Sequence, residues 1–231
     1  PGQPRAWLYG SFHLRRAADG HLPAAAISAF EAADVLVMEL GDLDAAGRQA
    51  AVLMAKYGVL PGDTRLQDLL DDELLAKTET ALRSVGLALA PMSHFRPSVI
   101  SVMLTVGQAT KAGFVSTTGV DRLFFERTQD PSSPGPSVSI GLETADEQMR
   151  ALFAIPEALQ VATLQDALSR TEDEAIALLS ELLDAYHRGD ATRVVEITEE
   201  AAHEDPAMAA YLERILYGRN RAMAERLVAM L

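Results

Sequence analysis

Cysteine is absent from this 231-residue chain, which removes disulfide frameworks, thiolate nucleophiles and Cys-ligated zinc from consideration. Basic charge is scarce as well: 20 Lys and Arg stand against 33 Asp and Glu, for a formal charge of −13, and no basic cluster exceeds the pair Arg15-Arg16. Phosphate backbones and anionic membrane surfaces need a basic footprint, so nucleic acid is not expected as a partner. Long apolar runs are missing; those near Val85 and Val99 are broken by Pro91 and Gly107, well short of the roughly 20 residues that cross a bilayer. No His-x-x-x-His pair, Gly-x-Ser-x-Gly elbow or P-loop occurs, which leaves zincin, serine-hydrolase and nucleotide-triphosphatase readings without support.

What the chain has is length enough for one large domain or two small ones with a substantial core. Its opening run, Trp7 to His13, reads as an apolar strand that stops at Gly10 and sets a histidine just past its end. Leu22-Pro23 opens a helix carrying Ile27 and Phe30, since proline is favoured in the first turn. Asp34 to Met38 then reads as a second strand ending at Glu39. Strand, helix, strand predicts a right-handed parallel unit, and ligands of such sheets bind at the carboxyl ends of the strands.

From Leu43 to Gly113 the pattern is helical. Leu74, Leu75, Thr78, Leu82 and Val85 form an apolar stripe stopped by Gly86, and Ser98 to Ala112 is a further helix. Val120-Asp121 starts a helix through Phe124, and Val138 to Leu142 reads as a third strand ending at Glu143. The remainder is helical, with capping boxes at Thr144-x-x-Glu147 and Thr171-x-x-Glu174, a stop at Gly189, a cap at Asp190 and a last helix running to Met230-Leu231. This order of strands and helices reads as a helix-rich α/β chain.

His13, Glu39 and Glu143 at strand ends, with Asp121 from a loop leading into a helix, make a reasonable ligand set for a divalent metal. A carboxylate left off the metal can act as general base toward water. A structural alternative stays open, in which His13 caps a loop, Glu39 pairs with an arginine and Glu143 accepts helix N–H bonds beside Thr144. His21 sits in a Gly-His-Leu-Pro helix entry, His94 in a loop, and His187 and His203 in last helical turns, where the dipole favours a cationic ring.

The run Leu8 to Leu14, Pro23, and Ala32 to Glu39 resembles the N-terminal signature of the TraB/PrgY/GumN family, relatives of the Tiki metalloproteases and erythromycin esterases. Gly119-Val120-Asp121, Leu142-Glu143-Thr144 with Gln148, Gly189-Asp190, and Arg219-Asn220 with Met223 extend the resemblance along one single domain, residues 1–231. The resemblance implies an α/β fold with a small, mostly parallel central sheet surrounded by many helices, and a site at the strand ends built around two Gly-x-x-His motifs and glutamates. It further implies a divalent metal, Mn²⁺, Co²⁺ or Zn²⁺, and cleavage of peptide bonds or a lactone. His13 would be ligand or base, Glu39 and Glu143 the carboxylates, and Arg219 or Asn220 would orient an oxyanion or substrate carboxylate.

The second Gly-x-x-His lies, in the family pattern, beyond the Arg-Asn helix and is not reached by Leu231, so a C-terminal truncation and a half-built site are expected. An exposed sheet edge would favour a partner chain, a homodimer among them. The start at Pro1 suits removal of a signal or anchor segment and a periplasmic or other extracytoplasmic location, with the cytoplasm as the alternative. Two functions follow: a peptidase-like metal-dependent hydrolase, or a non-catalytic binding or regulatory protein on the same fold, holding haem, metal or a signalling peptide.

Overall fold

The computed structural model describes residues 5–19 and 22–231; His21 lies outside them. The chain forms two compact units. The first comprises Pro1–Ala50, Gly113–Ala145 and Asn220–Leu231, and the second Ala51–Ala112 and Asp146–Arg219. Helix dominates, as expected.

The first unit holds every strand. β1 (Arg15–Arg16) pairs antiparallel with β3 (Phe114–Val115), and β2 (Leu36–Leu40) pairs parallel with β4 (Ser139–Glu143) in the register Leu36↔Ser139, Met38↔Gly141 and Leu40↔Glu143. Helix α1 (Ala24–Glu31) lies between β1 and β2 in sequence, and α2 (Leu43–Leu53) follows β2. The expected parallel unit is therefore corrected. Residues 5–14 carry no strand, and the opening segment is not a neighbour of β2 in a sheet.

The physical reason is exposure. Leu8 is 94% exposed and Trp7 50%, so the apolar run has no sheet face to bury against. It docks instead on α6 (Val120–Gln129): Tyr9 meets the Phe124 ring edge-on with centroids 6.2 Å apart, and the Val120 N–H donates to the Phe12 carbonyl at 3.0 Å. Phe124 in turn packs on Phe30 at 5.2 Å, and the Arg16 guanidinium stacks on Phe114 at 4.4 Å. Tyr9, Phe124 and Phe30 thus form a chain of ring contacts in this unit. Helix α6 is also tied to α2, because the Arg122 guanidinium reaches Asp44 at 2.7 Å and Glu126 at 2.7 Å.

The second unit is a helical assembly made of the last turn of α2, α3 (Asp72–Ser84), α4 (Leu89–Met92), α5 (Pro97–Lys111), most of α7 (Ala145–Phe153), α8 (Glu157–Ser169), α9 (Glu172–His187), α10 (Ala191–Glu204) and α11 (Pro206–Leu212). The predicted stripe is real. Leu74, Thr78 and Leu82, four residues apart, are the buried face of α3, and the two leucines join Leu66, Leu70, Ile100, Leu104 and Leu164 in one core. Each fully buried leucine contributes about 2 kcal/mol of transfer free energy.

The punctuation also matches. Thr171 and Glu174 form both bonds of the expected capping box, and Asp71 adds a cap to α3 by accepting from the Leu74 N–H at 2.8 Å. Gly86 and Gly189 end their helices with φ of 80° and 69°, a conformation that β-carbons disfavour. Asp190 receives the Arg193 N–H at 3.0 Å. The last helix, α12 (Gly218–Val228), stops at Val228, short of the expected Met230-Leu231.

Candidate active site

The carboxylate of Asp121 is the centre of the site. It stands in the first turn of α6, where unpaired backbone N–H groups and the helix dipole favour negative charge. One oxygen, Oδ1, accepts from the Ser11 hydroxyl, and the other, Oδ2, bonds the Nδ1 of His13. The Asp121 side chain is 20% exposed and that of His13 66%, so the imidazole reaches solvent while its anchor is largely covered. Burial by itself pushes the Asp121 carboxyl up, but the hydrogen bond and charge of His13, with Ser11 and the residue's own N–H, outweigh it and hold the group below its ordinary value.

Backbone contacts bring these side chains together. Gly119, just before α6, lies against the His13 carbonyl so closely that a β-carbon there would sit 3.0 Å from the His13 carbonyl carbon and 3.1 Å from the Ser116 oxygen. The Thr118 hydroxyl donates to the Arg15 carbonyl at 2.7 Å, and β1 pairs with β3 on the same side. The Gly10 to His13 turn is thus clamped to Gly119-Val120-Asp121, two sequence motifs folded into one corner.

An ionised carboxylate only accepts hydrogen bonds, so Nδ1 must carry a proton and the basic lone pair of the neutral ring lies on Nε2. His13 and Asp121, both singled out from the sequence, are therefore partners. Ser11 was not among the candidates. No local pattern marks it, because its acceptor, Asp121, lies 110 residues away.

Glu39 and Glu143 fall on neighbouring strands, as expected, yet the register separates them. Glu143 pairs with Leu40 and so shares the face of Met38, whereas Glu39, one residue earlier, alternates to the other face. Both are half-buried. The Arg226 guanidinium of α12 donates to the Leu142 carbonyl at the end of β4. Arg219 donates back to the Ile215 carbonyl at 2.9 Å and belongs to the second unit, and Asn220 is exposed.

Among the described residues no three His, Cys, Asp or Glu side chains converge as a metal-holding group. The strand-end glutamates lie on opposite faces, and Asp121 bonds Ser11 and His13 rather than a glutamate, so these residues do not converge as the ligand set of one divalent ion. A shallow, open cleft of about 530 Å³ in the second unit, lined by Glu73, Lys77, Thr80, Gln108 and Leu168 among others, contains none of the candidate residues. His94 stacks beside Phe95 at 4.2 Å, and His203 faces Glu199 at 4.0 Å in its last helical turn.

Fold and site together define a helix-rich α/β protein with a histidine–carboxylate pair in its strand-bearing unit. The chain belongs to the TraB/PrgY/gumN family, whose family model matches residues 1–231, its whole length. Comparison with curated proteins and with solved structures gives no match. No helix among the described residues is long and apolar enough to cross a membrane.

Proposed function

We propose that this chain is a peptidase-like hydrolase whose reactive group is the His13 imidazole. The observation that carries the reading is the bond between His13 Nδ1 and Asp121, which puts the ring's basic lone pair on Nε2. Imidazole titrates nearer neutrality than other side chains, and a positioned one removes a proton from attacking water with a gain of roughly 10²–10⁴ in rate. In that role Nε2 takes the water proton as the oxygen adds to a peptide carbonyl, and returns it to the leaving amine. Asp121 stabilises the imidazolium between the two transfers. The half-buried carboxylates Glu39 and Glu143 are the acidic groups of the neighbouring strand ends.

A divalent ion, as the family resemblance implies, would supply Lewis-acid activation of the carbonyl; the described side chains do not fit one, and no step here runs through it. That misfit favours a second reading, a binding or regulatory protein that does not turn over substrate. Release of peptides from fluorescein-labelled casein separates the two, measured with and without Mn²⁺, Co²⁺ or Zn²⁺ for the wild type and for His13→Ala. Hydrolysis lost in the variant supports the hydrolase. Equal signals in both proteins under every condition refute it.

A further inference from the structure

We infer that Ser11 is a positioning residue: its hydroxyl locks the Asp121 carboxylate in the orientation that fixes the His13 tautomer. The inference rests on the reading of His13 as the reactive base, and adds to it a group that acts without touching substrate. Asp121 has two oxygens and two side-chain partners, Ser11 on Oδ1 and His13 on Oδ2. A carboxylate held by one bond can swing about its terminal torsion, which is broad and two-fold. Held at both oxygens, it cannot turn without breaking one of them.

The geometry also decides against the alternative role for this residue. A nucleophilic serine gives its proton to a histidine, whereas here the Ser11 hydroxyl gives its bond to the carboxylate, on the oxygen that His13 does not use. Ser11 and His13 are two residues apart in the Gly10 to His13 turn and reach the same carboxylate, so the three groups form one closed ring of contacts through the backbone. The Phe12 carbonyl between them is pinned by the Val120 N–H at 3.0 Å, immediately before Asp121. That leaves the Ser11 bond as the element that fixes the side-chain half of the clamp.

The test is the tautomer itself, read from the ring nitrogen shifts of His13 by NMR on protein labelled with ¹⁵N-histidine, above the imidazole titration. Wild type is expected to show a protonated Nδ1 and an unprotonated Nε2. Ser11→Ala and Ser11→Val are expected to move both shifts toward a mixture of tautomers, and Ser11→Thr, the same shape as valine with the hydroxyl restored, to return them. The Thr and Val pair keeps the comparison valid if alanine loosens the segment. Asp121→Asn, which keeps the shape and removes the charge, should abolish the bias.

Identical wild-type, Val and Thr shifts overturn the inference. On labelled casein, Ser11→Val should lower kcat roughly tenfold with KM unchanged, a fraction of what a general base supplies. Failure of the hydrolase reading shows separately, as His13→Ala activity equal to wild type, and leaves the tautomer result standing.

Discussion

Gly119→Ala probes the corner on which the site is built. Gly119 has φ −58° and ψ 146°, a conformation alanine adopts without strain, so only contact distance opposes the change. The added carbon would stand 3.0 Å from the His13 carbonyl carbon and closer still to its oxygen. Both obstacles are backbone, and relief means moving the Phe12-His13 segment or the start of α6. Overpacking of this kind costs about 1–3 kcal/mol, and loss of the Val120–Phe12 bond adds about 1 kcal/mol. The lower entropy of the unfolded alanine chain returns about 0.4–1 kcal/mol.

A net loss of about 1–3 kcal/mol should lower the melting temperature by about 2–12 °C for a chain of this size. The assay has a built-in reporter, because the single tryptophan, Trp7, lies in the displaced segment, and its emission should change together with the loss of the His13 tautomer bias. Gly47→Ala is the control. Gly47 is inside α2 with nothing near its missing β-carbon, and alanine there should stabilise by about 0.5–1 kcal/mol. A Gly119→Ala protein with wild-type melting and wild-type Trp7 emission refutes the clamp.

Asp121→Asn should remove a stabilisation that depends on acid. The folded carboxyl lies below its ordinary value, so the stability it adds is fully present above the unfolded carboxylate range, about pH 4, and is lost as pH falls through the folded value. Urea midpoints of wild type and variant should therefore be separated at pH 5 and converge in stronger acid; a gap that widens with acid contradicts the assignment. Ser98 in α5 is 1% exposed, and its hydroxyl has no hydrogen-bond partner among the described residues. Ser98→Ala should be neutral or stabilising by up to about 1 kcal/mol, checked by the same melts. Leu82→Ala, at a fully buried position of the helical core, should cost about 2–5 kcal/mol; denaturation unchanged from wild type would show that the α3 stripe is not where the second unit is held.

Local signals in the sequence survived folding, and long-range pairing did so only in part: β2 pairs with β4, but the opening segment pairs with neither. Thr171, Asp190, Gly86 and Gly189 mark helix ends because a cap depends on atoms within a few residues. The Leu74, Thr78, Leu82 face follows from the helical period alone. Trp7 to His13 has the composition of a strand, but a strand exists only where another backbone accepts its bonds, and here that role passed to the Val120 N–H and the Phe124 ring. The same limit governs the site. His13, Asp121, Glu39 and Glu143 were chosen as residue types at element ends, which is a local property. Which of them meet is set by register, and a one-residue offset between Glu39 and Leu40 puts two candidate carboxylates on opposite faces. Ser11 escaped notice because a hydroxyl beside a histidine has no signature until its acceptor, 110 residues away, is in place.

That separation has a kinetic meaning. His13 and Asp121 stand 108 residues apart in the chain, and the second unit's first segment, Ala51–Ala112, is threaded between them. Closing a loop of that length costs about 4 kcal/mol before any constant term, more than one charge-assisted hydrogen bond of about 1.5–3 kcal/mol returns. The pair cannot recruit its own partners during folding. It depends on the β1–β3 pairing and the Phe30–Phe124 contact, which share the same loop closure, so the competence of the corner reports on whether the distant ends of the first unit have been joined.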